Sequence, residues 1–246
     1  MTSAKNTIHQ KEKHFKHYLF EFLMLFLAVT LGFFVENFRE DRVERSREKQ
    51  FIISFNEDLK KDVFELDSLI GKRVQRKVWM DSLTFLLNSP NLNNYGSDVY
   101  FYARYLPRPY LFISNDATIQ QLKNAGNLRL IRKQVVSDTI MAYDRQLHFL
   151  DMIKDREDKL IQRIFNSFNI LFDSQVFDEM NIYDIEFTKP PGNPQLKNTN
   201  KEAIETFCGD IHLLKTVNIG QIGWFRKQRE RAMNTLEFLK KEYDIR

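Results

Sequence analysis

The feature that most constrains this chain is an apolar run near its start. Between Phe22 and Val35 there is no charged residue and no proline, and extending the run back to Tyr18 adds one charge, Glu21. At about 1.5 Å per residue, the extended run forms a helix roughly 27 Å long, close to the thickness of the hydrocarbon core of a bilayer. We therefore predict a membrane-spanning helix over residues 18–38.

A buried core helix and a cleaved signal peptide are the alternatives to a membrane span. A core helix of a soluble protein carries a polar face, and this run has none. Signal peptidase reads a small-x-small pattern, whereas this run is followed by Glu36, Asn37 and Phe38. We therefore expect an uncleaved anchor.

Glu21 is the ionisable residue inside the predicted span. An ionisable side chain within a membrane is a functional candidate by default. Glu21 lies only one turn inside the run, so its carboxylate can instead extend to the nearby interface, beside His17 four residues earlier. The interfacial interpretation is favoured, and the functional one stays open.

The flanks of the span determine its orientation only weakly. The orientation rule counts cations beside the span, and the basic N-terminal arm (residues 1–17) nearly ties with residues 39–50. We expect a single-pass protein of a bacterial inner membrane, with the N-terminus inside and the following domain on the periplasmic side. The cations are Lys5, Lys11, Lys13 and Lys16 in the arm, and Arg39, Arg42, Arg45, Arg47 and Lys49 beyond the span.

Composition narrows the class of fold. Eight glycines and six prolines among 246 residues are about half the average usage, which argues against glycine-rich β-sandwiches and barrels. Hydrophobic residues at 43% and charged ones at 28% exclude wholesale disorder. The net charge of +4 is too small and too dispersed to indicate nucleic-acid binding. The single cysteine, Cys208, excludes an internal disulfide.

Residues 39–50 are expected to form a charged helical stalk continuous with the span. They contain one apolar side chain, and Asp41 with Arg45 has the helical spacing of an ion pair. Beyond them, apolar residues recur every three or four positions, which predicts a long helix ending near Pro90. A coiled-coil seam is the alternative to packing inside a bundle, but its phenylalanines are bulky for that role. The apolar positions are Phe51, Ile52, Phe55, Leu59, Val63, Leu66, Ile70, Val74 and Val78.

The rest of the chain is expected to complete an all-α domain over residues 51–246, an elongated bundle of about four main helices. A short helix is predicted from Ser114–Asp116 to Gly126, whose glycine suits a helix C-terminus. A long helix is predicted over 133–169, with a further short one near Phe172 and Phe177. An exposed loop over 181–199 and final helices over 200–215 and 217–243 complete the expectation.

A connector over residues 90–112 is rich in aromatic residues and contains two arginines. Tyrosine and arginine are the residue types that anchor protein interfaces. The same side chains can cover the end of a helical bundle, with ring faces buried and hydroxyls in water. The bundle-cap interpretation is favoured, and partner binding is the alternative. The candidate partner-binding residues are Tyr100, Tyr102, Arg104, Tyr105, Arg108 and Tyr110.

No spacing in the sequence indicates a catalytic or cofactor site. There is no Gly-rich phosphate loop and no Gly-x-Ser-x-Gly motif. Cys208 and His212 share a helix face and are candidates for a nucleophile pair or two metal ligands, but a core cysteine beside a surface histidine is favoured. His9, His14 and His17 are favoured as interfacial or disordered side chains. We therefore expect no enzyme activity, no cofactor and no bound metal.

Two stretches resemble a family of uncharacterised bacterial single-pass membrane proteins. In that family a Gly-Glu pair precedes the span and an Asn-Trp-Asn-Glu signature follows it; here Phe20-Glu21 opens the run and Asn37-Phe38-Arg39-Glu40 closes it. The stretch Leu122–Ile131 is similar to the family's Leu-x-x-x-Gly-x-Leu-x-x-Ile element. The resemblance covers most of the chain in layout and some 30 residues in motif. It implies one transmembrane helix and a helical domain, and it implies no catalytic residues.

The expected function is that of a membrane-anchored interaction, scaffold or sensory module of unknown pathway. Long helices that leave a bilayer can transmit small shifts between the membrane and a distal domain. The expected partners are the lipid bilayer and either another protein or a second copy of the chain, with no nucleic acid and no identified small-molecule substrate. The alternatives are a membrane-tethered enzyme using Cys208 and His212, and a homo-oligomeric structural membrane protein.

Overall fold

The structure, a computed structural model, describes residues 3–124, 126–180 and 187–245, with side chains from residue 17 onward except that of Lys154. All regular secondary structure in these ranges is helical, which confirms the all-α prediction. Of the α-helices in the described ranges, three are long and three are short. They are α1 (Ser3–Leu87), α2 (Gly96–Arg104), α3 (Ala117–Asn124), α4 (Gln134–Leu171), α5 (Ser174–Glu179) and α6 (Lys201–Tyr243), with 3₁₀ turns at Leu92–Asn94 and Asn127–Leu130.

The first helix, α1, is a single helix of 85 residues. At about 1.5 Å per residue it is roughly 130 Å long. It joins the apolar run, the charged stalk and the first helix of the bundle without a break, as the sequence predicts. Its two glycines, Gly32 and Gly71, are isolated, and one glycine costs a helix only about 1 kcal/mol. The helix ends at Leu87, three residues before Pro90.

One face of α1 packs on the rest of the bundle from residue 52 onward. Its buried positions advance by alternating steps of three and four, which keeps one stripe of the helix turned toward its neighbours. Most of this stripe is apolar, but one acid and two arginines belong to it as well. The stripe consists of Ile52, Phe55, Leu59, Asp62, Leu66, Leu69, Arg73, Arg76, Met80, Leu83 and Leu87.

The apolar face expected for this helix is correct at its start and wrong at its end. Val74 and Val78 belong to the expected face but are 40% and 48% exposed, whereas Arg73 and Arg76 are 1% and 0% exposed. The cause is geometrical. Each step of four residues turns an α-helix through about 400°, so successive steps of four from Ile70 rotate away from the buried stripe.

The last helix, α6, lies between α1 and α4 and contacts both. It runs antiparallel to them, because its first turns pack at the far end of α1 and its last turns pack near the stalk. The prediction of two helices, over 200–215 and 217–243, is wrong, because α6 is continuous. The apolar pattern is interrupted at Asn218 and Gln221, but both side chains are buried and the helix continues through them.

The core forms three clusters along the bundle. The distal cluster, farthest from the stalk, joins the ends of α1 and α4 to α2, α5 and the start of α6, and it is rich in aromatic rings. A small middle cluster follows, and a stalk-side cluster joins α1 to α3, α4 and the end of α6. Representative members are Met80, Tyr100, Phe168 and Phe207 in the distal cluster, Leu66, Tyr110, Leu150 and Phe225 in the middle one, and Ile52, Leu59, Ile140 and Leu236 in the stalk-side one.

The connector is more regular than the sequence indicates, because α2 lies within residues 90–112. The first residue of α2, Gly96, packs against the loop that precedes α6. A Cβ at this position would lie 1.9 Å from the carbonyl oxygen of Pro194, so only glycine fits without movement of the backbone. The expected short helix near Phe177 is present as α5. The described part of the expected loop, residues 187–199, contains no helix or strand.

Candidate functional site

The stalk end of the molecule carries a long apolar surface. The part of α1 from His17 onward contains an 18-residue stretch long and apolar enough to cross a membrane, and none of that stretch is buried. Phe20, Phe33 and Val35 are each at least two-thirds exposed. Large apolar patches on soluble proteins rarely exceed a few hundred Å², so a surface of this kind indicates contact with lipid or with another protein.

Glu21 lies at the start of this apolar surface and is exposed. Thr30, near the middle, satisfies its hydroxyl by donating to the carbonyl oxygen of Phe26 at 2.7 Å. That bond within the helix is the usual way for a threonine to be accommodated in an apolar environment. Among the described side chains from 18 to 35, Glu21 is therefore the charged group that a bilayer would have to accommodate.

The stalk contacts the bundle through Arg132, which precedes α4. Its Nη2 lies 2.6 Å from Asp41 Oδ1 and 3.4 Å from Glu44 Oε2. Its backbone N–H donates to Glu48 Oε1 at 2.9 Å. The hydrogen bond from Arg132 lowers the pKa of Asp41. One residue thus reaches three acids on successive turns of the stalk.

The C-terminal end of α6 holds the same part of the stalk. The Tyr243 hydroxyl donates to Glu48 Oε1 at 2.6 Å. Burial, with the Glu48 hydrogen bond and charge adding to it, raises the pKa of Tyr243, so the hydroxyl stays protonated and remains a donor. Lys133 Nζ lies 2.8 Å from Glu242 Oε2, and this ion pair joins the start of α4 to the end of α6. We call Asp41, Glu44, Glu48, Arg132 and Tyr243 the stalk contact.

The structure separates the six candidate partner-binding residues into two groups. Tyr100, Tyr105 and Tyr110 are buried, whereas Tyr102, Arg104 and Arg108 are half-buried. The Tyr100 hydroxyl accepts from the Asp173 backbone N–H at 2.9 Å, and the Tyr105 ring stacks on Trp79 with centroids 4.1 Å apart. These two buried rings therefore pack the connector onto the bundle.

The half-buried arginines lie over aromatic rings of the same region. Arg104 lies 4.7 Å from the centroid of the Phe187 ring, and Arg108 lies 5.5 Å from it. Guanidinium groups at these distances attract the negative faces of the rings. Tyr102, Arg104 and Arg108 therefore form a half-exposed edge of the connector, which we call the connector edge.

A buried arginine cluster lies in the middle of the bundle. Arg73 Nη2 lies 2.8 Å from Glu157 Oε2, and Arg76 donates to the other oxygen of the same carboxylate. Arg73 Nη1 also donates to Asn218 Oδ1 at 3.1 Å. The four residues come from α1, α4 and α6 and are all at most 2% exposed. We call them the arginine cluster.

The same two arginines hold the connector in place. Arg73 Nη2 donates to the carbonyl oxygen of Tyr110 at 2.5 Å, and Arg76 donates to the carbonyl oxygen of Leu106. These carbonyl groups are thereby satisfied although the connector is irregular there. The arginine cluster therefore links three helices and the connector.

The arginine cluster has two positive charges and one negative charge. Burial alone would raise the pKa of Glu157, but the hydrogen bonds and charges of Arg73 and Arg76 outweigh burial and lower it, so the carboxylate is ionised near neutral pH. Burial lowers the pKa of Arg76, but a guanidinium stays charged even so. An excess positive charge is therefore buried in the bundle.

Residue type alone does not reveal this cluster, because charged residues on a helix ordinarily lie on its solvated face. The signal that could have identified it is register. Arg73 and Arg76 continue the three-four spacing that begins at Ile52 and Phe55. Following position rather than residue type would have placed both arginines in the core.

The other candidate for chemistry is the pair Cys208 and His212 on α6. Burial raises the pKa of the Cys208 thiol, and its Sγ accepts a hydrogen bond from Asn88 Nδ2 at 3.7 Å. His212 is exposed. Where side chains are described, no group of three His, Cys, Asp or Glu residues is arranged to hold a metal ion. The side chains of His9 and His14 lie outside the described residues.

Comparisons of this chain with protein-family models, with curated proteins and with solved structures give no match.

Proposed function

We propose that the chain is a membrane-tethered helical interaction module, in which α1 crosses the bilayer and holds the bundle at a fixed distance from it. The observation that carries this proposal is the continuity of α1 from its exposed apolar stretch into the buried stripe of the bundle. The resemblance to bacterial single-pass membrane proteins agrees with it. We propose the bacterial inner membrane as the location, with the bundle on the periplasmic side.

The stalk contact supports a coupling role for α1. A flexible linker would let the bundle move independently of the span. Instead, Arg132 and Tyr243 bind the stalk at Glu48. The start of α4 and the end of α6 should therefore follow any shift of α1. Rigid helices joined in this way can carry a rotation or a translation from one end of a molecule to the other. Such coupling suits a scaffold or a sensor that acts through another protein.

A catalytic role for Cys208 is less well supported by its surroundings. A cysteine acts as a nucleophile through its thiolate, and activated cysteines have lowered pKa values. The pKa of Cys208 is raised by burial. We therefore propose that Cys208 is a packing residue and not a nucleophile.

The geometry is tested by energy transfer in lipid nanodiscs. The full-length chain with Cys208→Ser carries one donor dye at Asn94→Cys, and acceptor dyes are placed on the lipids. At about 1.5 Å per residue, the end of α1 at Leu87 lies about 70 Å from the start of the stalk at Arg39. Asn94 follows shortly after Leu87, so little transfer to the lipid dyes is expected. A donor at Lys49→Cys, close to the span, is the matched control and should give strong transfer.

Interrupting the stalk helix tests whether that helix keeps the bundle away from the lipid. Insertion of Gly-Ser-Gly-Ser after Arg42 should raise transfer from position 94, because the bundle can then tilt toward the lipid. Strong transfer from position 94 without the insertion would contradict the proposal. So would unchanged transfer after it.

Interaction with a partner is tested at the connector edge. A photo-crosslinking amino acid replaces Tyr102, which is half-buried, and in a control chain it replaces Tyr100, which is buried. In intact membranes we expect a discrete cross-linked product at position 102 and none between chains at position 100. The absence of any product at position 102 would remove the connector edge from the proposal.

A further inference from the structure

The face of α1 that points away from the bundle carries an uncharged stripe. Steps of three and four residues from Phe64 onward stay on one side of a helix, and this side lies opposite the buried stripe. Every residue of the uncharged stripe is exposed except Ser82, which is half-buried. We call it the outer stripe, and it consists of Phe64, Ser68, Gly71, Gln75, Val78, Ser82 and Phe85.

The outer stripe differs from an ordinary solvated helix face. Charged side chains concentrate on such a face, and 28% of the residues in this chain are charged, yet none of them belongs to the outer stripe. Instead, Phe64 and Phe85 are 77% and 75% exposed, and Val78 is 48% exposed. Exposed apolar side chains that follow one line along a helix indicate contact with a partner.

The proposed tether restricts how a second copy can approach this face. Two copies anchored in one membrane by the same span are parallel and at the same height. A two-fold axis along the membrane normal then places each residue of the outer stripe opposite its own equivalent. A charge in the stripe would face an identical charge, which repels. A different protein could supply complementary charges, so the absence of charge favours a second copy.

The charges beside the outer stripe are complementary in the same arrangement. In a parallel pair of helices, a residue on one flank of the seam meets the residue five positions later on the opposite flank of the other helix. Lys60 then meets Glu65 of the second copy, and Asp67 meets Lys72 of the second copy. Within one chain Asp67 pairs with Arg229, but both side chains are substantially solvated, so an exchange of partners costs little.

We propose that two copies of the chain pair side by side through their outer stripes, as a parallel coiled coil of two α1 helices with one bundle on each side. Phenylalanine is bulky for such a seam, but Phe64 and Phe85 are 21 residues apart and Gly71 lies between them. The seam is only about 33 Å long, and confinement to one membrane raises the effective concentration of the two copies. The pairing names a partner for the proposed module and rests on its membrane tether.

Disulfide formation in intact membranes tests the register of the pair. Full-length chains with Cys208→Ser carry one new cysteine, either Ser68→Cys in the outer stripe or Ser174→Cys, an exposed serine of α5 that serves as the matched control. Under mild oxidation Ser68→Cys should give a product of twice the chain mass, identified by mass spectrometry. The control should give about tenfold less, because only an in-register seam brings the two Cβ atoms within disulfide reach.

Charge reversal tests the flanks of the seam. Lys72→Glu places a like charge opposite Asp67 of the second copy and should lower the yield of the Ser68→Cys dimer about fivefold. Adding Asp67→Lys restores opposite signs and should recover the yield. Lys159→Glu, at an exposed position of α4, is the control and should leave the yield unchanged. Thermal unfolding of each variant confirms that it is folded.

Alkaline extraction of the same membranes measures the tether separately. A chain that stays in the pellet but forms no Ser68→Cys dimer, or forms as much dimer from Ser174→Cys, overturns the pairing and leaves the tether. A disulfide to a different protein in place of a second copy overturns the pairing as well. So does an unchanged yield in Lys72→Glu, or a lost yield that Asp67→Lys does not recover. Release of the chain from the membrane overturns both proposals, because the copies are then no longer held parallel.

Discussion

The two parts of α1 are one helix with two different surfaces. Over residues 18–35 the side chains are apolar on every side and almost all are exposed. Over residues 52–87 apolar side chains concentrate on one stripe, and that stripe is buried against the rest of the bundle. The first pattern suits a medium that is apolar in every direction, whereas the second suits a helix with protein on one side and water on the other.

The comparison teaches that periodicity carries information that average hydrophobicity does not. The free energy gained by burying apolar area is available to the second part within the molecule itself. Among the described residues none covers the first part, so it gains no such free energy from them. Substitutions in the two parts should therefore differ in their effect on the stability of the bundle.

The largest effect is expected at the arginine cluster of the bundle part. Glu157→Gln leaves Arg73 and Arg76 buried without an anion, which should lower the free energy of unfolding by about 3–5 kcal/mol. The measurement is denaturant unfolding of the full-length chain in detergent, followed by tryptophan fluorescence. Asp158→Asn, at the exposed neighbouring position, should change the value by no more than about 0.5 kcal/mol. A loss below about 1 kcal/mol for Glu157→Gln would show that the cluster is not buried as described.

One substitution made in each part of the helix compares them directly. Leu59→Ala removes a fully buried side chain and should cost about 3 kcal/mol of bundle stability. Leu27→Ala, in the apolar stretch and half exposed, should leave bundle unfolding unchanged. The same unfolding experiment measures both variants. A similar loss for both would mean that the apolar stretch packs inside the folded domain.

The boundary between the two parts should show an intermediate effect. Glu48→Ala leaves the Arg132 N–H and the Tyr243 hydroxyl without their shared acceptor and should cost about 1–2 kcal/mol. Amide hydrogen exchange should then increase first at the ends of α4 and α6, where the stalk contact is lost. Glu40→Ala, an exposed stalk position, is the control. Unchanged exchange in Glu48→Ala would remove the stalk contact from the account.

Acid should weaken the bundle part through Glu157. The pKa of Glu157 is lowered from 4.5 by Arg73 and Arg76, so its ion pairs contribute stability above the unfolded value. That stability is lost progressively as the pH falls from 4.5 through the lower pKa of the folded state. Denaturant midpoints measured across this range should fall less steeply in Glu157→Gln than in the unmodified chain. Parallel slopes for the two chains would contradict the assignment.

The smallest effect is expected from the exposed ion pair of the stalk contact. Asp41→Asn removes the charge of the nearer of the two acids at Arg132 Nη2, but Asp41 and Arg132 are both solvated and screened. We expect a slight destabilisation at low ionic strength that disappears in concentrated salt. Thermal unfolding at two salt concentrations measures it, and an effect that persists in salt would indicate a more buried contact.

Much of the fold can be predicted from the sequence where a helix buries one face and leaves the other in water. On α4, which the sequence predicts over 133–169, apolar residues recur every three or four positions and are buried in the structure, among them Val136, Ile140, Tyr143 and Leu147. Continuity of the stalk with its neighbours also follows, since no proline interrupts it. These features depend on local spacing, which a single chain displays fully.

The candidate sites are harder to predict from the sequence, because they depend on which helices and loops pack against each other. The buried positions of Arg73 and Gln221 cannot be inferred from residue type, since both residues are usually solvated. Tyr100 and Tyr105 are buried because α2 places Tyr100 against the loop before α6 and Tyr105 against Trp79. Contacts between distant segments decide the positions of these two tyrosines, whereas the position of Arg73 follows only from the register of the buried stripe.

Alkaline extraction of membranes containing the full-length chain tests the central claim most directly. A helix that crosses the bilayer stays in the membrane pellet at about pH 11, because the hydrocarbon core holds about twenty apolar residues by the hydrophobic effect. We predict that the chain remains in the pellet and that detergent releases it. Release of the intact chain into the alkaline supernatant, as a single species stable without detergent, would contradict the account.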